Sequence, residues 1–411
     1  MRILQITGRS DHGGGPEHVL HLVAGLHPHD TVWIACPRHG IYWPRFAAVI
    51  GADRLFAITH RRVDPVTVTR LADFIIEHNI EVIHSHGVAG GILARLAAQL
   101  TGIPCVHTFH GVPPSGTWKR FLYRRLEPLL VHSTALAIAV SQSEAEAVLA
   151  AYPCYQRRLV ISENSVSQAA EVPQATPDPT RLVMFARNNR QKHPELVIPI
   201  LTKLAQAGWQ GHSIDLYGEG LAEANWYRTA RAARLPLRCY APTDRPAVAL
   251  AAAGAYLSTA RWEGMPLALL EAFRSGLPVV ASDVPGNRDV VTHEVTGLLY
   301  PPGDAAAAAN CLIRLRDDVG LTQRLVTAAR QECAVRFGQL AMVERVRKCY
   351  LQVVQQASAD NELTREAHAS AVSPARSSTA TVPSLIPQPT ARPCLNEDRG
   401  PRALRTATLS Q

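Results

Sequence analysis

The sequence predicts an α/β chain of two parallel-sheet domains that face each other across a cleft, followed by a C-terminal helix and a disordered tail. Three observations carry this reading. Short apolar runs alternate with amphipathic stretches in the first part of the chain, the pattern stops at Ser167–Thr180, and a second alternating series then begins. A length of 411 residues also exceeds the usual size of one hydrophobic core. The expected limits are 1–168 for the first domain, 169–337 for the second, 338–356 for the helix and 357–411 for the tail.

In the first series, strands are expected at Arg2–Thr7, Thr31–Cys36, Val82–His86, Cys105–His110, Ala135–Val140 and Leu159–Ile161. Between them lie helix-like stretches such as Glu17–Leu26, Val66–His78 and Ala89–Leu100. Strands alternating with helices imply parallel sheets covered on both faces. Ser167–Thr180 is rich in Pro, Ala and Gln without periodicity, and is expected to link the domains. The second series offers strands at Arg181–Phe185, His212–Tyr217, Leu237–Tyr240, Ala255–Thr259 and Pro278–Ser282. From Ala357 onward Ser, Thr, Pro, Ala and Arg dominate, too few apolar groups to offset the entropy of ordering.

Composition narrows the function classes. The net charge of +8 is spread along the chain rather than gathered in a stripe, so nucleic acid is not an expected partner. None of the eight cysteines forms a Cys-x-x-Cys pair, which points to neither a zinc site nor a disulfide framework. The N-terminus reads as a buried strand rather than a signal peptide, and no apolar run reaches the roughly 18 to 20 residues that span a bilayer. A cytoplasmic location is expected.

Parallel-sheet domains bind ligands beyond the carboxyl ends of their strands, so functional residues should lie in strand-to-helix turns. The first such turn, Asp11-His12-Gly13-Gly14-Gly15-Pro16-Glu17, lets backbone N–H groups approach an anion at a helix start. A simple tight turn is the other reading. It does not fit the G-x-G-x-x-G dinucleotide pattern. Histidines end the next strands: His84, His86 and His107 suit either structural or functional roles, without metal-ligand spacing, whereas His110, followed by Gly111, is expected to face the cleft and meet a sugar hydroxyl or an acceptor. In the second domain Arg187 and Lys192 share one loop and suit a diphosphate. Ser258–Glu271 is the most informative segment: a strand end, a loop carrying Glu263, and a helix starting near Pro266. Its free N–H groups, around Met265 and Leu267, favour a phosphate. Glu263 is free for sugar hydroxyls, while Glu271 sits among apolar residues and needs a partner, such as ribose hydroxyls. No Asp-x-Asp occurs anywhere, so a carboxylate-held magnesium is not expected.

These residues resemble the retaining GT-B glycosyltransferases of family four, over most of residues 1–356 and most sharply from Leu257 to Asp304. There the two glutamates seven residues apart precede Gly276-Leu277-Pro278-Val279-Val280-Ala281 and Thr296-Gly297-Leu298-Leu299. The resemblance implies two Rossmann-like domains, acceptor at the first and nucleotide-diphosphate sugar, UDP- or GDP-linked, at the second. It implies Gly14 and Gly15 beside the donor phosphates, His110 and Glu263 at the donor sugar, Arg187 and Lys192 on the diphosphate, and Glu271 on the ribose, with Met265 and Leu267 in the donor site. No cofactor or metal is implied; the nucleotide-sugar is a substrate. A glycan or lipid-linked acceptor in bacterial surface polysaccharide synthesis is expected. Residues 117–130 mix aromatics with Lys119, Arg120, Arg124 and Arg125, and suit either an anionic membrane surface at the inner face of the cell membrane or ordinary core packing. An epimerase or hydrolase on the same scaffold, or a non-catalytic binding protein, are the competing classes.

Overall fold

The computed structural model of the chain describes residues 1–111, 118–167 and 176–372. Both of its sheets belong to one compact body, Met1–Glu362. The first sheet is formed by β1 (Arg2–Thr7), β2 (Thr31–Pro37), β3 (Leu55–Ile58), β4 (Val82–His86), β5 (Cys105–Thr108), β6 (Leu136–Ala139) and β7 (Leu159–Ile161). Its order is β3-β2-β1-β4-β5-β6-β7, and every pair is parallel. The second comprises β8 (Asp178–Phe185), β9 (Ser213–Tyr217), β10 (Leu237–Tyr240), β11 (Ala253–Ser258), β12 (Val279–Ser282) and β13 (Leu298–Tyr300). It runs β10-β9-β8-β11-β12-β13, again parallel throughout. Each sheet thus grows outward from its first strand in both directions, and the order reverses at β1/β4 and at β8/β11. Crevices open at such reversals, beyond the strands' carboxyl ends.

The apolar runs form these strands because helices bury both their faces. Leu22, Val23, Phe46 and Val346 pack on one side of the first sheet, and Leu71, Ile75, Leu93 and Ala97 on the other. The second sheet is sandwiched likewise, between a cluster including Ile200, Leu204 and Leu312 and one including Leu269, Leu270 and Phe273.

Three features depart from the sequence expectations. Strands β3 and β13 are additional, and both are edge strands of four and three residues, too short to set up a period. Strand β8 begins at Asp178, inside the stretch read as a linker, because Asp178 pairs with Ala253 and its carboxylate accepts from the Thr180 N–H at 2.9 Å. The final helix, Gln339–Val372, outruns the expected end at Gln356. No Gly or Pro interrupts residues 339–373, so nothing stops its propagation before Pro374. The remainder of the expected tail lies outside the described residues.

That helix returns to the first domain. Met342, Val343, Val346, Tyr350 and Val353 pack against Ile3, Val19 and Leu22. Asp30 fastens it, accepting from the Met1 ammonium at 2.8 Å and from Arg347 Nε at 2.9 Å.

Candidate active site

The turn after β1 leads into the helix Gly14–Leu26, whose start carries no side-chain cap, so its first N–H groups stay open to a ligand. Arg9 crosses this turn, donating to Asp11 through Nε at 2.7 Å and through Nη2 at 2.8 Å. A Cβ at Gly13 would lie 3.1 Å from both Arg9 Nη2 and Arg187 Nη2, so the two guanidiniums, one from each domain, meet over this glycine. Burial lowers the Arg187 pKa, and the Arg9 charge beside it lowers it further.

Histidines line the floor. His110 is enclosed near the end of β5; desolvation, then the charge of Arg9, pulls it down to about 4, so the ring is neutral at pH 7. His86 Nδ1 approaches His110 Nε2 at 3.3 Å, and the His18 ring meets His110 edge-on at 4.9 Å between centroids. His84 and His107 are buried away from the opening. His84 lies between the Tyr350 hydroxyl at 2.6 Å and Thr108 Oγ1 at 2.7 Å, and His107 Nδ1 is 2.9 Å from Ser85 Oγ. Although nothing in the linear spacing suggested metal ligands, the fold gathers His18, His86 and His110 with ring nitrogens within 4.8 Å of one another. Among the described residues this is the one group of three or more His, Cys, Asp or Glu side chains close enough to share an ion, and its members come from a helix, a strand and the turn after β5.

Across the cleft, the loop after β8 carries Arg187 and Lys192. Asn189 shapes it by accepting the Lys192 N–H at 2.9 Å. Lys192 Nζ donates to Glu263 Oε1 at 2.6 Å, and Gln191 Nε2 reaches Glu263 Oε2 at 3.4 Å. Lys192 and Glu263, assigned from sequence to different parts of a ligand, therefore form one ion pair in the open cleft. The helix Leu267–Ser275 starts behind Glu263, with Pro266 in the N-cap position and Gly276 (φ 73°) ending it in the left-handed conformation. Its Glu271 is half-buried and lines the cleft. Desolvation, then the charge of Glu17 opposite, pushes Glu271 up to about 7. Burial would also raise Glu17, but hydrogen bonds from His21 and Tyr42 and the charge of Arg45 at 3.1 Å bring it down to about 2.

The cleft between the sheets has a volume of about 1160 Å³, and all nine residues singled out in the sequence line it: Gly14, Gly15, His110, Arg187, Lys192, Glu263, Met265, Leu267 and Glu271. Sequence reading gave no role to Arg9, Glu17 or Glu144, although Glu17 ends the glycine-rich turn that it singled out. Ser141 joins the domains, its Oγ donating to the Gly264 carbonyl at 2.9 Å, while the Glu144 carboxylate accepts from the Gly111 N–H at 2.5 Å and the Val140 N–H at 2.7 Å within the first domain. Burial pushes Glu144 up to about 7 despite those two donors. A capping pattern, Ser141 followed three residues later by Glu144, was the available signal. Of the stretch 117–130, Thr117 and the side chains of residues 118–120 and 122–124 lie outside what is described; Phe121 and Leu129 are exposed.

Comparison with known proteins agrees with this architecture. The model for glycosyltransferase family 4 matches residues 12–168, and that for glycosyl transferases group 1 matches residues 167–332. The chain is 24% identical over 312 residues to an Escherichia coli UDP-Gal:alpha-D-GlcNAc-diphosphoundecaprenol alpha-1,3-galactosyltransferase, covering 71% of this chain and 80% of that protein. It is 26% identical over 382 residues to an alpha-maltose-1-phosphate synthase of Mycolicibacterium smegmatis, covering 83% and 96%. A solved structure of Anabaena HepE in complex with UDP and glucose shares the fold, with a TM-score of 0.74 at 16% identity over 86% of this chain and all of that one. Two family models that together tile residues 12–332, over two parallel sheets with a shared cleft, establish that the chain belongs to the group 1 glycosyltransferases of GT-B fold.

Proposed function

We propose that this enzyme is a retaining, metal-independent transferase that moves a sugar, hexosyl in type, from a UDP- or GDP-linked donor to a hydroxyl of a glycan or lipid-linked acceptor. The observation that carries the reading is the meeting of Arg187, Lys192–Glu263 and Glu271 with Gly14, Gly15 and His110 around one cleft. In this reading the second domain holds the donor. Glu271 accepts from the ribose hydroxyls, the guanidinium of Arg187 and the open N–H groups at Gly14 and Leu267 receive the diphosphate, and Glu263 meets the sugar hydroxyls.

The bond from the anomeric carbon to the diphosphate oxygen breaks, and its electron pair leaves with the phosphate. Arg187 and Lys192 stabilise that developing charge, which is where preorganised cations contribute most. The acceptor hydroxyl attacks from the same face and passes its proton to the leaving phosphate oxygen. No protein base is then required, and the configuration is retained. Metal independence is supported by the lack of any Asp-x-Asp and by cations already placed at the phosphate position. The diphosphoundecaprenol-linked sugar in the name of the Escherichia coli relative supports a lipid-linked acceptor, and with it a role in bacterial surface polysaccharide synthesis at the inner face of the membrane.

The deciding experiment screens nucleotide-sugars for binding and transfer with EDTA present. Turnover of one UDP- or GDP-sugar, unchanged by EDTA and giving product of the donor's anomeric configuration, is expected. Loss of turnover in EDTA, restored by a divalent cation, would overturn metal independence. Net release of free or epimerised sugar with every acceptor offered would favour the hydrolase or epimerase instead.

A further inference from the structure

A hydrogen-bonded chain of buried side chains links the C-terminal helix to the cleft floor. Gln5 lies at the centre of β1, fully buried, with its Nε2 donating to the Tyr350 hydroxyl at 2.9 Å. A tyrosine hydroxyl has one proton to give. With Gln5 occupying its acceptor side, that proton goes to His84 Nδ1 at 2.6 Å. His84 then keeps its own proton on Nε2 and donates to Thr108 Oγ1 at 2.7 Å.

The other end of the same amide sets the second branch. Gln5 Oε1 lies 2.8 Å from His86 Nε2 and can only accept, so His86 carries its proton there. His86 Nδ1 is left with a lone pair, and it faces His110 Nε2 at 3.3 Å. His110 therefore supplies the proton of that contact and is left with an unprotonated Nδ1. Turning the Gln5 amide over would reverse every proton in both branches, including the one on His110.

We propose that Tyr350, acting through Gln5 and His86, is a positioning residue that fixes which ring nitrogen of His110 bears the proton. The inference rests on the reading of His110 as an active-site residue. On that reading His110 offers a lone pair, not an N–H, to the donor sugar. It also gives the C-terminal helix, which contributes nothing to the lining of the cleft, a part in shaping the site. Such an outer contact is what selects a histidine tautomer in other settings.

Long-range proton–nitrogen correlation spectra of histidine-labelled full-length protein at pH 7 test this directly, with His110 assigned by its loss in His110→Gln. In the parent a single tautomer with Nε2 protonated is expected, giving way to a mixture in Tyr350→Phe, which keeps the ring and removes the hydroxyl. Gln5→Met interrupts the same chain from the strand side and should reproduce the mixture, which covers the case of a poorly folding Tyr350 variant. Val346→Ala trims the same helix without touching the chain, and should lower the melting temperature while leaving the His110 pattern alone. A parent already mixed or protonated at Nδ1, a pattern unmoved by Tyr350→Phe and Gln5→Met, or the same change in Val346→Ala would overturn the proposal. These spectra read the protein alone. A wrong assignment of His110 would show separately, as full donor turnover by His110→Ala in the nucleotide-sugar screen.

Discussion

Lys192 and Glu263 illustrate how much one contact changes the meaning of two residues. The ammonium sits 2.6 Å from the carboxylate, on a side chain only 7% exposed for Glu263 and 25% for Lys192. On the proposed function, removing Lys192 takes away a cation set against the charge that develops on the leaving phosphate, and removing Glu263 takes away the contact to the sugar hydroxyls and leaves Lys192 without its partner. Glu263→Ala and Lys192→Ala are each expected to lower transfer by at least about a hundredfold, the scale of losing one transition-state stabiliser. Nucleotide release in a coupled assay reads this, and activity within a few-fold of the parent for both would reject the site. Glu271 gives a pH test. Its folded-state value of about 7 lies above the ordinary 4.5, so the folded chain binds that proton more tightly than the unfolded one. Its contribution to stability is full below about 4.5, falls as pH rises through 4.5 to 7, and is level above. On the proposed function ligand binding runs the other way, because the ionised carboxylate is the better acceptor for ribose hydroxyls. Affinity for the free nucleoside diphosphate should rise toward pH 7 by up to about tenfold per unit, and Glu271→Gln should flatten the profile in titration calorimetry. An identical slope in the variant would remove Glu271 from the ribose.

At the scale of elements, the loop bearing Glu263 is held by its neighbours. Gly286 has φ 83°, and a Cβ there would lie 2.6 Å from the carbonyl oxygens of both Glu263 and Gly264. Gly286→Ala meets two obstacles at once, a left-handed backbone and a backbone clash, and should cost about 1–3 kcal/mol in urea unfolding. Because the strain is relieved by moving the Glu263 loop, donor turnover should fall as well. Unchanged stability and turnover would show that the close approach is not maintained in solution. The pair of turns around Arg187 and Glu263 was legible because a strand end, a loop and a capped helix leave signals in order along the chain. Strands β3 and β13 were not, since three or four residues at a sheet edge carry no period that separates them from a turn.

For the whole molecule, the helix Gln339–Val372 closes onto the first domain, so the two sheets are joined by the chain at both ends of the second. The stretch 117–130 follows the His110 turn. On the proposed function its cations bring the enzyme to anionic lipid, each worth about 1 kcal/mol near such a surface. Replacing Lys119, Arg120, Arg124 and Arg125 with Glu should release the protein from vesicles rich in anionic lipid, as read by sedimentation; retention equal to the parent would sink the idea. No helix among the described residues is long and apolar enough to cross a membrane.

The sequence by itself determined the class of fold, the two alternating series and nine of the residues that line the cleft, because strand-to-helix turns are local and their glycines, prolines and charges are read in order. Tertiary structure alone decided which of these residues face one another. The meeting of Arg9 with Arg187, of Glu17 with Glu271 and of Tyr350 with Gln5 and His84 joins segments up to 345 residues apart. Side chains so distant in the chain leave no shared period or spacing, and only the packing of the two sheets and the returning helix brings them within reach. His110 was legible as a cleft residue from its strand end, but the direction of its proton depends on a buried amide that no local pattern describes.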